Sequence, residues 1–252
     1  MKAEVTVITA AYNASTYIEK CIQSVLEQTV YCQMIVVNDA STDETVEIAK
    51  KYETLHPEQI RVISNEHNCG VAVSRNKGIR LAQTEYVAIL DADDWWTSDK
   101  IDRQLCRIKE KKADVCFSGR EIATPDGICT GLVIHVPETI DYKKLLRGNI
   151  IPCSSVVMKK SVALQYPMDH DELHEDYITW LTMLKDGRSM TGIDEPFLKS
   201  RMAENGKSRN KIKSAVMTYK VYRYMKIPVW KSMYYFFCYA VAGIKKYRGT
   251  GR

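Results

Sequence analysis

YVAILDADDWW, running from Tyr86 to Trp96, is the stretch on which the fold turns. Its apolar part, Tyr86 to Leu90, passes without interruption into Asp91, Ala92, Asp93 and Asp94. An apolar run of this length bounded by polar residues reads as a buried parallel strand, and open α/β sheets place their ligands outside the carboxyl ends of such strands. Asp91 and Asp93 are two residues apart, so a backbone that stays extended points both the same way, toward one hard cation. The competing reading is an acidic loop capping a helix that starts near Ser98. An Asp-x-Asp taken alone more often does the latter, so its neighbours must decide.

Toward the N-terminus, strands are predicted over Glu4 to Thr9, Gln33 to Val37 and Ile60 to Ile63. Between them fall a helix from Ser15 to Glu27, with Ile18, Ile22, Val25 and Leu26 at helical spacing, and a helix capped by Ser41 to Asp43 that continues toward Tyr52. A tight loop at Asn68 to Gly70 and a helix over Val71 to Ala82 lead into the opening strand. Alternation of this kind predicts a parallel sheet with right-handed crossovers. The turn after the first strand lacks G-x-G-x-x-G, and no G-x-x-x-x-G-K-[ST] occurs, so neither usual phosphate cradle is available. A divalent cation held by carboxylates is the alternative way to hold phosphate, and Asp91 to Asp94 offer it. Tyr12, just past the first strand, is placed to stack on a base; Asp39, just past the second, to accept a hydrogen bond from a ring N–H. Each also reads plainly, as a core-edge tyrosine and a helix-capping aspartate.

At 252 residues the chain suits one α/β domain with a small appendage, and its 45% apolar and 27% charged content is that of an ordinary soluble protein. Eight cysteines without a C-x-x-C pair argue against zinc and for reduced thiols in a cytosolic protein. MKAEVTVITA reads as a first strand and not as a secretory leader. The net charge of +5 is unevenly spread: after Glu204 there are twelve Lys or Arg and no Asp or Glu, so an acidic body carries a basic tail.

Beyond Trp96, Asp114 to Ser118 reads as a strand, Thr124 to Gly127 as a turn, Ile128 to Val136 as a hairpin partner and Ser154 to Met158 as a short strand. An acidic run, Asp169, Asp171, Glu172, Glu175, Asp176, precedes a helix carrying Ile178, Leu181 and Leu184 on one face and closed by Gly187. Acids in a first helical turn complement the macrodipole, which is the plain account of any one of them.

Four landmarks in order, VITAAYN (from Val7), VVNDASTD (from Val36), NCGVAVSRNKG (from Asn68) and LDADD (from Leu90), resemble the family 2 glycosyltransferases of the GT-A fold, with the likeness extending from Val5 to about Arg209. Bacterial members making teichuronic acid or capsular polysaccharide carry similar tails. The resemblance implies an α/β fold, a mostly parallel central sheet flanked by helices, with a nucleotide-sugar half over 1–98, an acceptor and catalytic half over 99–210, and a basic, aromatic, helical tail over 211–252. It implies an inverting transfer of a sugar from a UDP-sugar to a hydroxyl of a glycan or lipid-linked saccharide, dependent on a divalent cation, Mn2+ or Mg2+. By position, Ala10, Tyr12 and Asn13 would border the nucleobase and Asp39 would read uracil. Asn68, Gly70 and Arg75 belong to the loop and helix under the donor, Arg75 on the diphosphate or sugar. Asp91 and Ala92 would lie by the ribose, Asp93 on the metal and Asp94 toward the sugar. Glu175 and Asp176 match the family's E-D motif, Asp176 as general base. Arg201 and Ser208 match a basic, serine-containing loop over the diphosphate. The chain departs from the family at Ala10, where Pro is usual, and at Asn38, where a second Asp is usual.

In the tail, Lys213 to Lys226 interleaves apolar and basic residues, and MYYFFCYAVAGI from Met233 is too short for a span of roughly 20 residues. Flanked by Lys231, Lys245, Lys246 and Arg248, it suits an interfacial helix on an anionic membrane, which predicts a cytoplasmic protein held at the inner face of the cell membrane. Two alternatives stand beside this: an aromatic helix packed back on the body, and a homodimer interface. A nucleic-acid binder lacks a recognition motif and has an acidic body, and a sugar-nucleotide pyrophosphorylase would need a glycine-rich basic loop where Ala10 to Ser15 stands. A non-catalytic nucleotide-sugar-binding subunit is the remaining alternative.

Overall fold

The computed structural model describes residues 3–169, 171–202 and 211–248, and of 211–213 and 241–248 the backbone path alone. Its N-terminal half alternates β1 (Val5–Ala11), α1 (Ile18–Leu26), β2 (Cys32–Asn38), α2 (Thr45–Leu55), β3 (Ile60–Ser64), α3 (Val71–Leu81) and β4 (Tyr86–Ile89). β1 pairs in parallel with both β2 and β4, and β2 with β3, giving the order β3-β2-β1-β4. Alternate residues of these strands feed opposite faces. Ile8, Ile35, Val37, Val87 and Ile89 join one apolar cluster, and Val5, Val7, Val36, Ala88 and Leu90 the other. Both faces are buried, so near-continuous apolar strands are what this half requires.

The second half comprises β5 (Trp95–Trp96), α4 (Lys100–Lys111), β6 (Val115–Ala123), β7 (Cys129–Ile134), α5 (Tyr142–Leu145), a 3₁₀ turn at Cys153–Ser155, β8 (Val157–Lys159), α6 (Lys160–Gln165), α7 (Glu175–Lys185) and β9 (Met190–Arg201). β8 lies antiparallel between β4 and β6, β9 runs parallel to β6, and β7 folds back on β6 across a turn with Gly127 at φ +85°. Parallel pairing is thus the rule in the first half and the second half is mixed.

The structure departs from the sequence reading in several places. The strand foreseen from Ser154 begins at Val157, because Cys153–Ser155 forms a tight turn in which the Ser155 hydroxyl donates to Pro152 O at 2.8 Å. The basic loop foreseen from Lys199 is still strand as far as Arg201. Pro196 is tolerated there because the register slips from Ser118↔Ile193 to Arg120↔Leu198, leaving the proline in a bulge. Ser208 lies outside the described residues.

The tail forms α8 (Lys211–Tyr224) and α9 (Val229–Arg248). α9 exceeds the apolar stretch from Met233 because Lys and Arg extend a helix as readily as apolar residues do, so hydropathy marks its face and not its ends. Val221 and Tyr222, with Met225 and Ile227 beyond, are buried in the cluster that holds Leu145, Tyr177 and Trp180. Packing back on the body is therefore what α8 does. No helix among the described residues is long and apolar enough to cross a membrane.

One glycine sets how closely α3 lies on the sheet. A Cβ at Gly78 would stand 2.5 Å from Ile8 Cγ2 and 3.3 Å from Val37 Cγ2.

Candidate active site

The carboxyl ends of β1, β2 and β4 converge on one edge, and the loops after them are laced together by short polar side chains. Asn13, at φ +49°, accepts the Thr42 N–H at 2.9 Å and donates its own N–H to Ser41 at 3.0 Å, while Tyr12 beside it is half exposed. Ala10 pairs with Val37 at the end of β1. Asp43 caps both loops: burial raises its carboxyl, but hydrogen bonds from Thr45 and Ser15 outweigh that and hold it at about 2.

Asp39 is 3% exposed and already occupied. Its Oδ1 accepts from Asn65 at 2.7 Å and from the Cys69 N–H at 2.9 Å, and its Oδ2 from the Gly70 N–H at 2.8 Å. Asn68 also accepts the Gly70 N–H, at 3.2 Å. The residue read as a base-recognition group is thus also the anchor of the Asn68–Gly70 loop. Gly70 must be glycine: its φ is +91°, and a Cβ would collide with Asp171 Oδ2 at 2.0 Å. Asp171 reaches across from the second half to accept the Ala72 N–H at 3.0 Å, capping α3.

After β4 the chain does not stay extended. Asp94 N–H bonds Asp91 O at 3.1 Å, and the turn sends the three carboxylates in different directions. Asp91 meets Arg75 Nη2 at 2.5 Å. Asp94, 7% exposed, accepts the Arg201 N–H at 2.9 Å and so points into the fold rather than outward. Burial and the charges of Asp93 and Asp91 push its carboxyl well above the usual range. Ala92 is buried between them. Burial first, then Asp91's charge, push Asp93 up to about 6, against the pull of Arg201 and Arg75.

Arg75 is 4% exposed and is enclosed: beyond Asp91, its Nη1 donates to Glu175 Oε1 at 3.0 Å. Burial works against its charge, but Asp91 and Glu175 hold it strongly protonated. Expected as a diphosphate or sugar contact, it is in this structure the cation between the acidic turn and the first residue of α7. The next residue, Asp176, accepts its neighbour's Tyr177 N–H at 2.7 Å on Oδ1 and the Asn149 amide at 3.1 Å on Oδ2. Arg201 lies beside Asp93. Its Nε donates to Asp93 O at 3.0 Å and its Nη1 to Pro125 O at 2.6 Å, with the guanidinium 4.6 Å from the Tyr17 ring and 5.2 Å from Trp95.

Sequence reasoning missed Asn149, the capping of α3 by Asp171 and the aromatic seat of Arg201. Their partners lie 27 to 184 residues away, and no local pattern announces them.

A divalent cation fits this chemistry. Three carboxylates crowd one turn; Arg75 pairs with Asp91 and Arg201 donates to the Asp93 backbone oxygen, and the charges of both still leave the Asp93 carboxyl raised. No group of three His, Cys, Asp or Glu side chains among the described residues is arranged to hold a cation unaided, so a cation at Asp93 would complete its shell with diphosphate oxygens.

A parallel sheet whose strand ends carry a half-exposed tyrosine, a loop-anchoring aspartate and an acidic turn, faced by a second acidic helix start, is the arrangement of the GT-A class of fold. The chain belongs to glycosyl transferase family 2, whose family model matches residues 6–158. It is 38% identical over 247 residues to a Bacillus subtilis protein assigned to teichuronic acid biosynthesis as glycosyltransferase TuaG, covering 97% of this chain and 98% of that one. It is 30% identical over 251 residues to the E. coli UDP-Glc:alpha-D-GlcNAc-diphosphoundecaprenol beta-1,3-glucosyltransferase WfgD, covering 96% and 94%. Among solved structures, S. aureus TarS 1–349 with UDP-GlcNAc matches at TM-score 0.72 and 18% identity over 87% of this chain and 64% of that one. The Pyrobaculum calidifontis mannosyltransferase PcManGT with GDP-Man and Mn2+ matches at TM-score 0.71 and 17% identity over 100% and 77%.

Proposed function

We propose that this protein transfers a sugar from a UDP-sugar to a hydroxyl of a glycan or lipid-linked saccharide with inversion, as a step in bacterial cell-surface polysaccharide synthesis at the inner face of the cell membrane. The observation that carries this reading is the double pairing of Arg75. A single buried guanidinium holds Asp91 of the acidic turn and Glu175 of α7, so Asp176 follows directly from a residue tied to the donor edge.

Tyr12 stacks on the uracil and Asp39 faces it, with the Asn68–Gly70 loop closing the donor edge. A divalent cation, Mn2+ or Mg2+, would be held by Asp93 and the diphosphate, and would stabilise the charge of the departing UDP. The chain's own residues do the rest. Asp176 takes the proton of the acceptor hydroxyl as its oxygen bonds to the anomeric carbon and the bond from that carbon to the diphosphate breaks, inverting the configuration. Asn149 fixes which carboxylate oxygen faces the acceptor. Arg201, beside Asp93, adds positive charge where the diphosphate would lie.

The test is Asp176→Asn. UDP affinity by calorimetry should be unchanged while turnover falls by roughly 10²- to 10⁴-fold. Wild-type turnover in that variant would overturn the assignment of the base. The relatives' names favour this reading over a non-catalytic binding subunit, and measurable transfer in the wild type separates the two.

A further inference from the structure

α9 has two unlike faces. Its inner face presents a fully buried Ser232, together with Tyr235, Phe236 and Tyr239 set against α8 and the body. Tyr235 lies 6.2 Å from the Tyr222 ring and Phe236 6.1 Å, edge-on, from Tyr219. Its outer face presents Trp230, Met233, Tyr234 and Phe237, spaced i, i+3, i+4, i+7 and between 53% and 71% exposed. That spacing is one continuous helical stripe. Scattered exposed apolar residues need no explanation, but an ordered stripe on a helix already packed on its other side is a surface built to meet something.

The charge around the stripe indicates what it meets. Lys226 and Lys231 are exposed at its start, Lys220 and Arg223 are exposed on α8, and the sequence adds Lys245, Lys246 and Arg248 at its far end. No acid occurs after Glu204. Aromatic residues between basic ends match an anionic lipid surface, where rings enter the headgroup layer and ammonium groups meet phosphate.

The same helix adjoins the proposed base. The Tyr239 hydroxyl lies 3.4 Å from Ser214 Oγ, and Ser214 meets His174 Nε2 through its carbonyl at 3.3 Å and its hydroxyl at 3.4 Å. His174 is the residue before Glu175 and Asp176. The Tyr239 ring also lies against Gly148, next to the Asn149 that holds Asp176.

We propose that the outer stripe of α9 docks on an anionic bilayer and brings the Asp176 side of the cleft to the headgroup layer, so that the acceptor is an amphiphile presented from the membrane. The docking surface stands on its own; the choice of a lipid-anchored saccharide over a free glycan rests on the reading of Asp176 as base.

The test uses the full chain and vesicles of phosphatidylcholine alone or mixed with phosphatidylglycerol. Co-sedimentation should favour the mixed vesicles, with a blue shift of tryptophan emission that Trp230→Phe removes. The double variant Trp230→Ser/Phe237→Ser changes exposed positions only, and should keep its melting temperature and UDP affinity while losing vesicle binding by roughly tenfold or more. With a bacterial membrane fraction and labelled UDP-sugars, the double variant should lower label in the solvent-extractable lipid. Asp176→Asn should abolish that label and leave vesicle binding intact. Wild-type protein that ignores mixed vesicles overturns the docking surface, as does a double variant that binds them like the wild type. A dimer in light scattering that the double variant dissolves, without vesicle binding, would assign the stripe to a second copy instead. Docking intact with label only in water-soluble product would overturn the amphiphilic acceptor.

Discussion

The two sides of the cleft are built differently. On the donor side, carboxylates are pinned by backbone N–H groups: Asp39 by Cys69 and Gly70, Asp94 by Arg201, Asp43 by Ser15 and Thr45. On the acceptor side, Asp176 is held by its own neighbour's N–H and a single exposed amide, Asn149, and the surroundings are cemented by tyrosine. Tyr177 and Tyr222 donate to Leu145 O and Leu146 O, both at 2.8 Å. The first pattern fixes the donor edge rigidly; the second sets the proposed base in the first turn of α7, facing a loop that carries Asn149 and can change shape without disturbing the sheet. Arg75 joins the two.

That contrast can be broken hardest at its joint. Arg75→Met should leave Asp91 and Glu175 buried without their cation and cost about 3–5 kcal/mol of stability, read by urea unfolding. A variant as stable as the wild type would mean the halves are not coupled there. Next comes the donor side alone. Asp93→Asn should remove the cation-dependent part of UDP affinity, on the order of 10²-fold, and EDTA should bring the wild type to the same level. Calorimetry finding equal, EDTA-insensitive affinities would remove the cation from Asp93. On the acceptor side, Asn149→Ala should lower kcat by about tenfold, the cost of one lost hydrogen bond, with KM for the donor unmoved. A change confined to the donor KM would place Asn149 on the wrong side of the comparison.

The smallest effect tests the body beneath the donor side. Lys100 is fully buried, its Nζ 3.8 Å from the Trp96 ring centroid and without a hydrogen-bond partner, and burial pushes it down to about 7 from 10.5. Between those values the unfolded chain holds a proton that the native one lacks, so wild-type stability should rise with pH across that window. Lys100→Met should flatten the rise, and parallel stability curves for the two proteins would contradict it.

The donor side was legible in the sequence because its signals are local. Met34 to Val37 and Tyr86 to Leu90 are apolar runs that stop at Asn38 and Asp91, and in a sheet buried on both faces such stops mark the ligand edge. What was illegible depends on contacts between distant residues. The turn at Asp91 to Asp94 hid the fates of three adjacent acids, since an extended chain and a turn share one sequence. The pairing of Arg75 with Glu175 was hidden because nothing near it in sequence reveals a partner a hundred residues on. In the tail, tyrosine defeated the reading. A ring with a hydroxyl suits a core, an interface or a headgroup layer equally well, so only packing separates Tyr235 and Tyr239 from Tyr234.

Gly78 adds a consequence of another kind. It lies three residues after Arg75 on the same helix, and its missing side chain is what lets α3 settle onto Ile8 and Val37. The separation between Arg75 and the acids it pairs with is therefore set by van der Waals contact one turn along the same face of the helix. A single added methyl at that contact, carrying no charge and touching no ligand, would act as an electrostatic mutation.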